Sequence, residues 1–122
     1  MQMFNHNQIE YTYTNNSGLI MRVKQTEEDK AYLKLIGNNI KFYRINNNCS
    51  PDDTDSYGRV SQEKLAELSG TSASMISNIE AENVDQTMSI SFLRKIATAL
   101  NIPLYAFFLE KPVKNPPQNP FA

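Results

Sequence analysis

With 122 residues, 12 Lys or Arg, 13 Asp or Glu and a net charge of −1 at pH 7, the chain has room for one domain with appendages and carries no bulk positive field. Any affinity for phosphate must therefore come from locally placed cations and backbone amides. Cys49 and His6 are the single cysteine and histidine, which excludes an intramolecular disulfide and a Cys/His zinc site. No segment has the length and apolarity of a bilayer span or the layout of a signal peptide, so the expected setting is the cytoplasm, with no membrane.

Residues 1–30 differ in character from the rest of the chain. Ile9 to Thr14 and Leu19 to Lys24 partly alternate around Asn15-Asn16-Ser17-Gly18, which is turn chemistry, and together they predict a short β-hairpin. Two strands alone are marginal in water, so the hairpin is expected to lean on the helical domain near Phe107 and Phe108 or on a second subunit. Thr26-Glu27-Glu28-Asp29 then places acids where a first helical turn favours them. Leu33, Ile36, Ile40 and Tyr43 recur at helical spacing, so the first helix packs inward.

Asn46 to Val60 carries Pro51, Asp52, Asp53, Asp55 and Gly58, the composition of an exposed loop. Asp53, Asp55 and Gly58 share the opening spacing of a calcium loop. Tyr57, however, replaces an oxygen ligand, and Glu63 stands one place early for the closing carboxylate. A solvated loop is expected, with no metal or other cofactor.

Two short helices joined by a tight turn are predicted over residues 61–82. Ser61 is a good N-cap, with Val60 and Leu65 at the spacing of a hydrophobic staple. Leu65 and Leu68 mark the buried side, Ala66 permits a close helix crossing, and Gly70 can take the positive φ that ends the helix. Ser72 caps the next helix, whose Met75, Ile76 and Ile79 share one face. Met88, Ser89 and Leu93 repeat the staple at the start of a fourth helix running through Ile96, Ala97 and Leu100. Ile102, Leu104, Phe107, Phe108 and Leu109 come next, more apolar than one short helix easily buries; core packing and a dimer seam are equally open. From Pro112 the prolines are too frequent for helix or sheet, and the tail is expected to be disordered or polyproline-like.

Ala66, Gly70, Ile76 and Ile79 have the spacing of a helix-turn-helix. Together with Ile36 to Arg44, Ser61 to Ala66, Ile76 to Glu80 and Leu93 to Leu104, the chain resembles the Cro/repressor-type (xenobiotic-response-element-like) helix-turn-helix family of transcriptional regulators over roughly residues 31–109. The resemblance implies a mostly α fold. Its centre is a five-helix lambda-repressor-like DNA-binding domain at 31–110, flanked by the hairpin arm at 1–30 and the tail at 111–122.

The resemblance further implies that the third helix enters the major groove of double-stranded DNA and reads an inverted-repeat operator as part of a homodimer, with repression as the expected outcome. Its outer positions are Ser72, Ala73, Ser74, Ser77 and Asn78. Asn78 can pair bidentately with adenine and Ala73 can touch a thymine methyl, while Ser74 and Ser77 can donate or accept. No Lys or Arg lies on this face, so the operator is expected to lean towards A·T pairs, read partly through DNA shape. Gln62 matches the family's phosphate-contacting residue, and Arg59, Lys64, Asn83, Gln86 and Thr87 flank it as further backbone contacts. Arg44 and Glu80 match a family ion pair that fixes how the helices dock, a structural role.

An enzyme is not expected, because no glycine-rich phosphate loop is present and the single His lies in a polar stretch. The competing function is a protein-interaction module of the same fold, acting as an anti-repressor or as the antitoxin of a toxin–antitoxin pair. Near-neutral charge and a cation-free third helix favour it; Gln62 and the polar outer face of that helix disfavour it.

Overall fold

The computed structural model describes residues 9–13, 19–23, 25–82 and 86–121. The chain divides into two compact units, Met1–Ala31 and Tyr32–Ala122. In the first, strands β1 (Ile9–Tyr13) and β2 (Leu19–Val23) pair antiparallel, with Ile9 opposite Val23 and Tyr13 opposite Leu19. The expected turn at Asn15 to Gly18 lies outside the described residues.

Helix α1 (Glu27–Ile45) starts on a reciprocal cap: the Thr26 Oγ1 accepts from the Asp29 amide at 3.1 Å, and the Asp29 carboxylate accepts from the Thr26 amide at 2.9 Å. Its inward row is Ile36, Ile40 and Tyr43. Helix α2 (Gln62–Ser69) is capped by Ser61, whose Oγ accepts from the Lys64 amide, and ends at Gly70 with φ 67°. Val60 and Leu65, the staple pair around that cap, are both fully buried. Helix α3 (Ala73–Glu80) starts on Ser72, and helix α4 (Ile90–Ala99) on Ser89, whose Oγ accepts from the Phe92 amide at 3.0 Å. Helix α2 packs on both α3 and α4. One core joins Ile40 and Tyr43 of α1 with Leu65, Ile76, Ile79, Leu93, Ile96 and Phe107.

One glycine fixes how closely α1 approaches α3. A Cβ built on Gly37 would meet the Ile79 carbonyl oxygen at a separation that real side chains essentially never show. The two backbones are in contact there because Gly37 has no side chain.

Three expectations are corrected. Leu68 is 38 % exposed, since an eight-residue helix buries only a narrow stripe, here Leu65 and Ala66. Where a fifth helix was expected, the chain forms a single five-residue 3-10 turn, Leu104–Phe108. Pro103 stands ahead of it without a side-chain cap. Asn39, almost fully buried on α1, closes its far end by donating to the Phe107 and Leu109 carbonyls, both at 2.8 Å. Phe107 enters the core, leaving Tyr105 and Phe108 exposed.

The proline-rich tail is the third correction, because it is docked rather than disordered. The Val113 amide donates to the Tyr43 hydroxyl at 2.9 Å, and Asn48 Nδ2 donates to the Pro116 carbonyl at 3.1 Å. Asn119 is buried and donates from Nδ2 to the Ile102 carbonyl at 2.7 Å. Prolines restrict the unbound chain, so docking a proline-rich segment costs less conformational entropy than docking an ordinary one, and their carbonyls still accept. The anchor is the end of α4. Asn101 takes φ 53° there, with Ile102 N bonded to the Ala97 carbonyl and Asn101 N to that of Thr98, the pairing that ends a helix on a left-handed residue.

Removing residues 112–122 is therefore expected to destabilise the domain by about 1–3 kcal/mol, since it strips partners from buried polar groups. That corresponds to a fall in Tm of roughly 4–8 °C per kcal/mol for a domain of this size. A shortened chain that melts with the full-length protein would show that the tail contributes nothing.

Candidate nucleic-acid interface

The surface is built from the start of α2 and the outer side of α3. With Ile76 and Ile79 in the core, the same helix turns Ser74, Ser77 and Asn78 to solvent. These three exposed side chains form a short polar row with no charge of either sign. Ser72 is exposed too, but its hydroxyl is engaged, accepting from the Met75 amide at 3.3 Å and lying 3.1 Å from the Ser74 Oγ. Ala73, expected on the outer face, is half-buried and packs against the core, because the first turn of so short a helix leans on its neighbours. Its methyl is only partly available to a groove.

Gln62 and Glu80 bring the two helices together. Gln62 Nε2 donates to the Glu80 Oε1 at 3.2 Å, which ties the first residue of α2 to the last residue of α3. The same carboxylate accepts two bonds from the Arg44 guanidinium, Nη2 to Oε1 at 2.8 Å and Nε to Oε2 at 2.9 Å. Arg44 spends its remaining arm on the Val60 carbonyl at 2.8 Å. The side chains of Arg44 and Glu80 are only 14 % and 3 % exposed, so this is a buried, bidentate pair with its hydrogen bonds satisfied. It clamps the end of α1 to the end of α3 and, through Glu80, sets the rotamer of Gln62. An amide nitrogen carries two hydrogens, and this bond uses one of them.

The flanking cations are not free. Arg59 Nε lies 3.0 Å from the Asp55 Oδ2, and its guanidinium sits 5.0 Å over the Tyr57 ring. Lys64 Nζ lies 3.6 Å from both Asp53 and Glu67. Hydrogen bonds from the Arg59 and Tyr57 amides and the Arg59 side chain hold the Asp55 carboxyl below its ordinary pKa, with the Arg59 backbone amide the largest contribution. Asp53 and Asp55, which have the spacing of calcium ligands, are thus turned to Lys64 and Arg59, and no group of three or more metal-binding side chains occurs among the described residues.

Gln86 is half-buried and donates to the Thr87 carbonyl at 3.2 Å, Thr87 is exposed, and Asn83 lies outside the described residues. Residue patterns alone did not single out Asp53, Asp55 and Glu67 as partners of the cations. The spacings Asp55 to Arg59 and Lys64 to Glu67 are local pairings that a helix-type count can find. Asp53 to Lys64 spans a loop and leaves no such signal. The contact of Gln62 with Glu80 likewise depends on how two helices cross.

No helix among the described residues is long and apolar enough to cross a membrane. In comparisons with known proteins, residues 59–107 match a family model described as helix-turn-helix. No curated protein and no solved structure matches the chain.

Proposed function

We propose that this chain, whose residues 59–107 match the helix-turn-helix family model, is a Cro/repressor-type regulator: a sequence-specific repressor that binds an A·T-leaning inverted repeat as a homodimer. The observation that carries this proposal is the bond between Gln62 and Glu80. It ties the start of α2 to the end of α3, the helix that exposes Ser74, Ser77 and Asn78, which supports a division of labour between a phosphate contact from Gln62 and base reading from that row. In this arrangement Asn78 reads adenine, Ser74 and Ser77 take either a donor or an acceptor, and Gln62 with the free first-turn amides of α2 holds a phosphate. The sequence holds no Lys or Arg between Lys64 and Arg94, so guanine readout by a cation plays no part on this helix. The two-stranded unit at the N-terminus adds to dimerisation rather than to base contact.

Selection of bound sequences from a random duplex pool tests this function, and the expected result is a palindromic consensus. Asn78→Ala should then relax preference at one symmetric base position by about 1–3 kcal/mol, whereas Gln62→Ala should weaken all duplexes about equally. An asymmetric consensus bound by a monomer would refute the dimer, and a uniform loss for Asn78→Ala would remove it from base reading.

A second function, binding a partner protein as an anti-repressor or antitoxin, is favoured by one observation. Arg59 and Lys64 are already paired with carboxylates of the chain itself. No enrichment from the pool at low salt would leave this as the better account.

A further inference from the structure

The connection between α1 and α2 is long, acidic and close to the surface formed by α2 and α3. Asp52 and Asp53 of its 3-10 turn Pro51–Asp53, with Thr54, Asp55 and Arg59 after it, line a shallow cleft of about 260 Å³ together with Ser61 and Lys64. Asp52, Asp53 and Asp55 line that cleft together with Arg59 and Lys64. Two Asp carboxylates of this loop are each paired with a cation that a phosphate could otherwise take: Asp53 with Lys64, which also lies 3.6 Å from Glu67, and Asp55 with Arg59.

We propose that the loop of residues 51–59 is an internal acidic clasp, which competes with the DNA backbone for Arg59 and Lys64 and so suppresses binding to duplexes of arbitrary sequence. The inference rests on the DNA-binding function proposed for this chain and assigns a regulation to that same surface.

Non-specific affinity comes almost wholly from cations that neutralise phosphates and release counterions, so a protein whose flanking cations are already neutralised loses that part first. Binding through Asn78, Gln62 and the α2 amides does not depend on those cations and survives. The clasp thereby raises the ratio of specific to non-specific binding without adding a base contact. It also accounts for a near-neutral chain using this fold, because its cations are held in reserve. The hold is light: the side chains of Arg59 and Asp55 are 51 % and 43 % exposed, and those of Lys64 and Asp53 are each 32 % exposed, so solvent screens both pairs. A weak clasp opens when a fitting duplex offers compensating contacts.

The test uses the full chain and a mixed-sequence duplex, with affinity followed against salt concentration. Asp53→Asn removes one competitor of Lys64 while keeping the side chain's size. Glu110→Gln, at an exposed carboxylate outside the loop, changes the net charge equally without freeing Lys64 from Asp53. Asp53→Asn is expected to tighten mixed-duplex binding about two- to fivefold beyond Glu110→Gln, the range of an exposed ion pair. It should also steepen the slope of log K against log salt, by at most about 0.9, the value of one phosphate contact, since Glu67 still lies 3.6 Å from Lys64. The gain should vanish when Lys64→Gln is added. Elution from immobilised heparin, a polyanion without base sequence, is the second readout and should shift to higher salt in the same order. If Asp53→Asn and Glu110→Gln behave alike on both probes, or if the gain persists with Lys64→Gln, the clasp is refuted while duplex binding by the unaltered chain still stands. If neither the unaltered chain nor the Asp53→Asn variant binds any duplex at low salt, the DNA-binding function fails and the clasp with it.

Discussion

Gly37→Ala is expected to destabilise the helical domain by about 2 kcal/mol or more, lowering its Tm by roughly 8–16 °C. In an unencumbered helix interior the same change would stabilise by about 0.8–1 kcal/mol, because alanine is the better helix former. The sign is reversed by what the new methyl meets, which is the backbone carbonyl of Ile79 rather than the end of a flexible side chain. That carbonyl cannot rotate away. It accepts from the Glu82 amide at 3.2 Å and belongs to the last turn of α3, next to Asn78 and Glu80. Relief must come from parting α1 and α3, which strains the Arg44–Glu80 pair and opens the core around Ile40 and Ile76. Gly70→Ala makes the useful comparison: its φ of 67° costs an alanine about 1–2 kcal/mol, but open space surrounds the new methyl. Gly70→Ala should therefore leave the docking of α3 and its DNA affinity intact, whereas Gly37→Ala damages both stability and affinity. A Gly37→Ala protein that melts at or above the wild-type temperature would show that the α1–α3 contact yields at no cost.

Features set by local rules were legible in the sequence. Ser61, Ser72 and Ser89 cap helices, Val60 and Leu65 are a buried staple, and Gly70 is left-handed, because each depends on residues within five positions of one another. The inward row Ile36, Ile40 and Tyr43 follows from helical period alone. The misjudged positions all depend on what a distant part of the chain supplies. Leu68 obeys the same period as Leu65, yet lies at the rim because α3 and α4 cover only a narrow stripe of α2. The tail looked unable to order itself, and by itself it has no secondary structure to do so. Tyr43, Asn48 and Ile102 provide the hydrogen-bonding partners. Asn39, Asn48 and Asn119 read as ordinary polar residues although each fixes a remote carbonyl, because an asparagine's sequence neighbours say nothing about a partner more than fifteen residues away. At the interface the exposed row on α3 was legible from period, whereas the engagement of Gln62, Arg59 and Lys64 by acids was legible only in part.

Glu80→Ala should cost about 3–5 kcal/mol, the largest effect expected of any surface-proximal change, because it strands a nearly buried guanidinium. Arg44 would keep the Val60 carbonyl but lose both bonds to Glu80. Joint replacement, Arg44→Met with Glu80→Met, removes both charges and their desolvation cost, and should recover stability to within about 1–2 kcal/mol of wild type, the remainder being the orphaned Val60 carbonyl. The double variant separates docking from function. Its helices are held by apolar packing, but Gln62 has lost the acceptor that fixes its amide, so the side chain must be ordered at the moment of binding. If Gln62 makes the proposed phosphate contact, binding should weaken by a similar factor for every duplex, because such a contact carries no sequence information, while the base preference proposed for Asn78 should stay unchanged. Recovery of stability together with wild-type affinity would show that Glu80 does nothing for Gln62 and that the ion pair serves docking alone. Recovery of stability with an altered base preference would place Gln62 among the base-reading residues, since only a group that touches bases can change which bases are chosen.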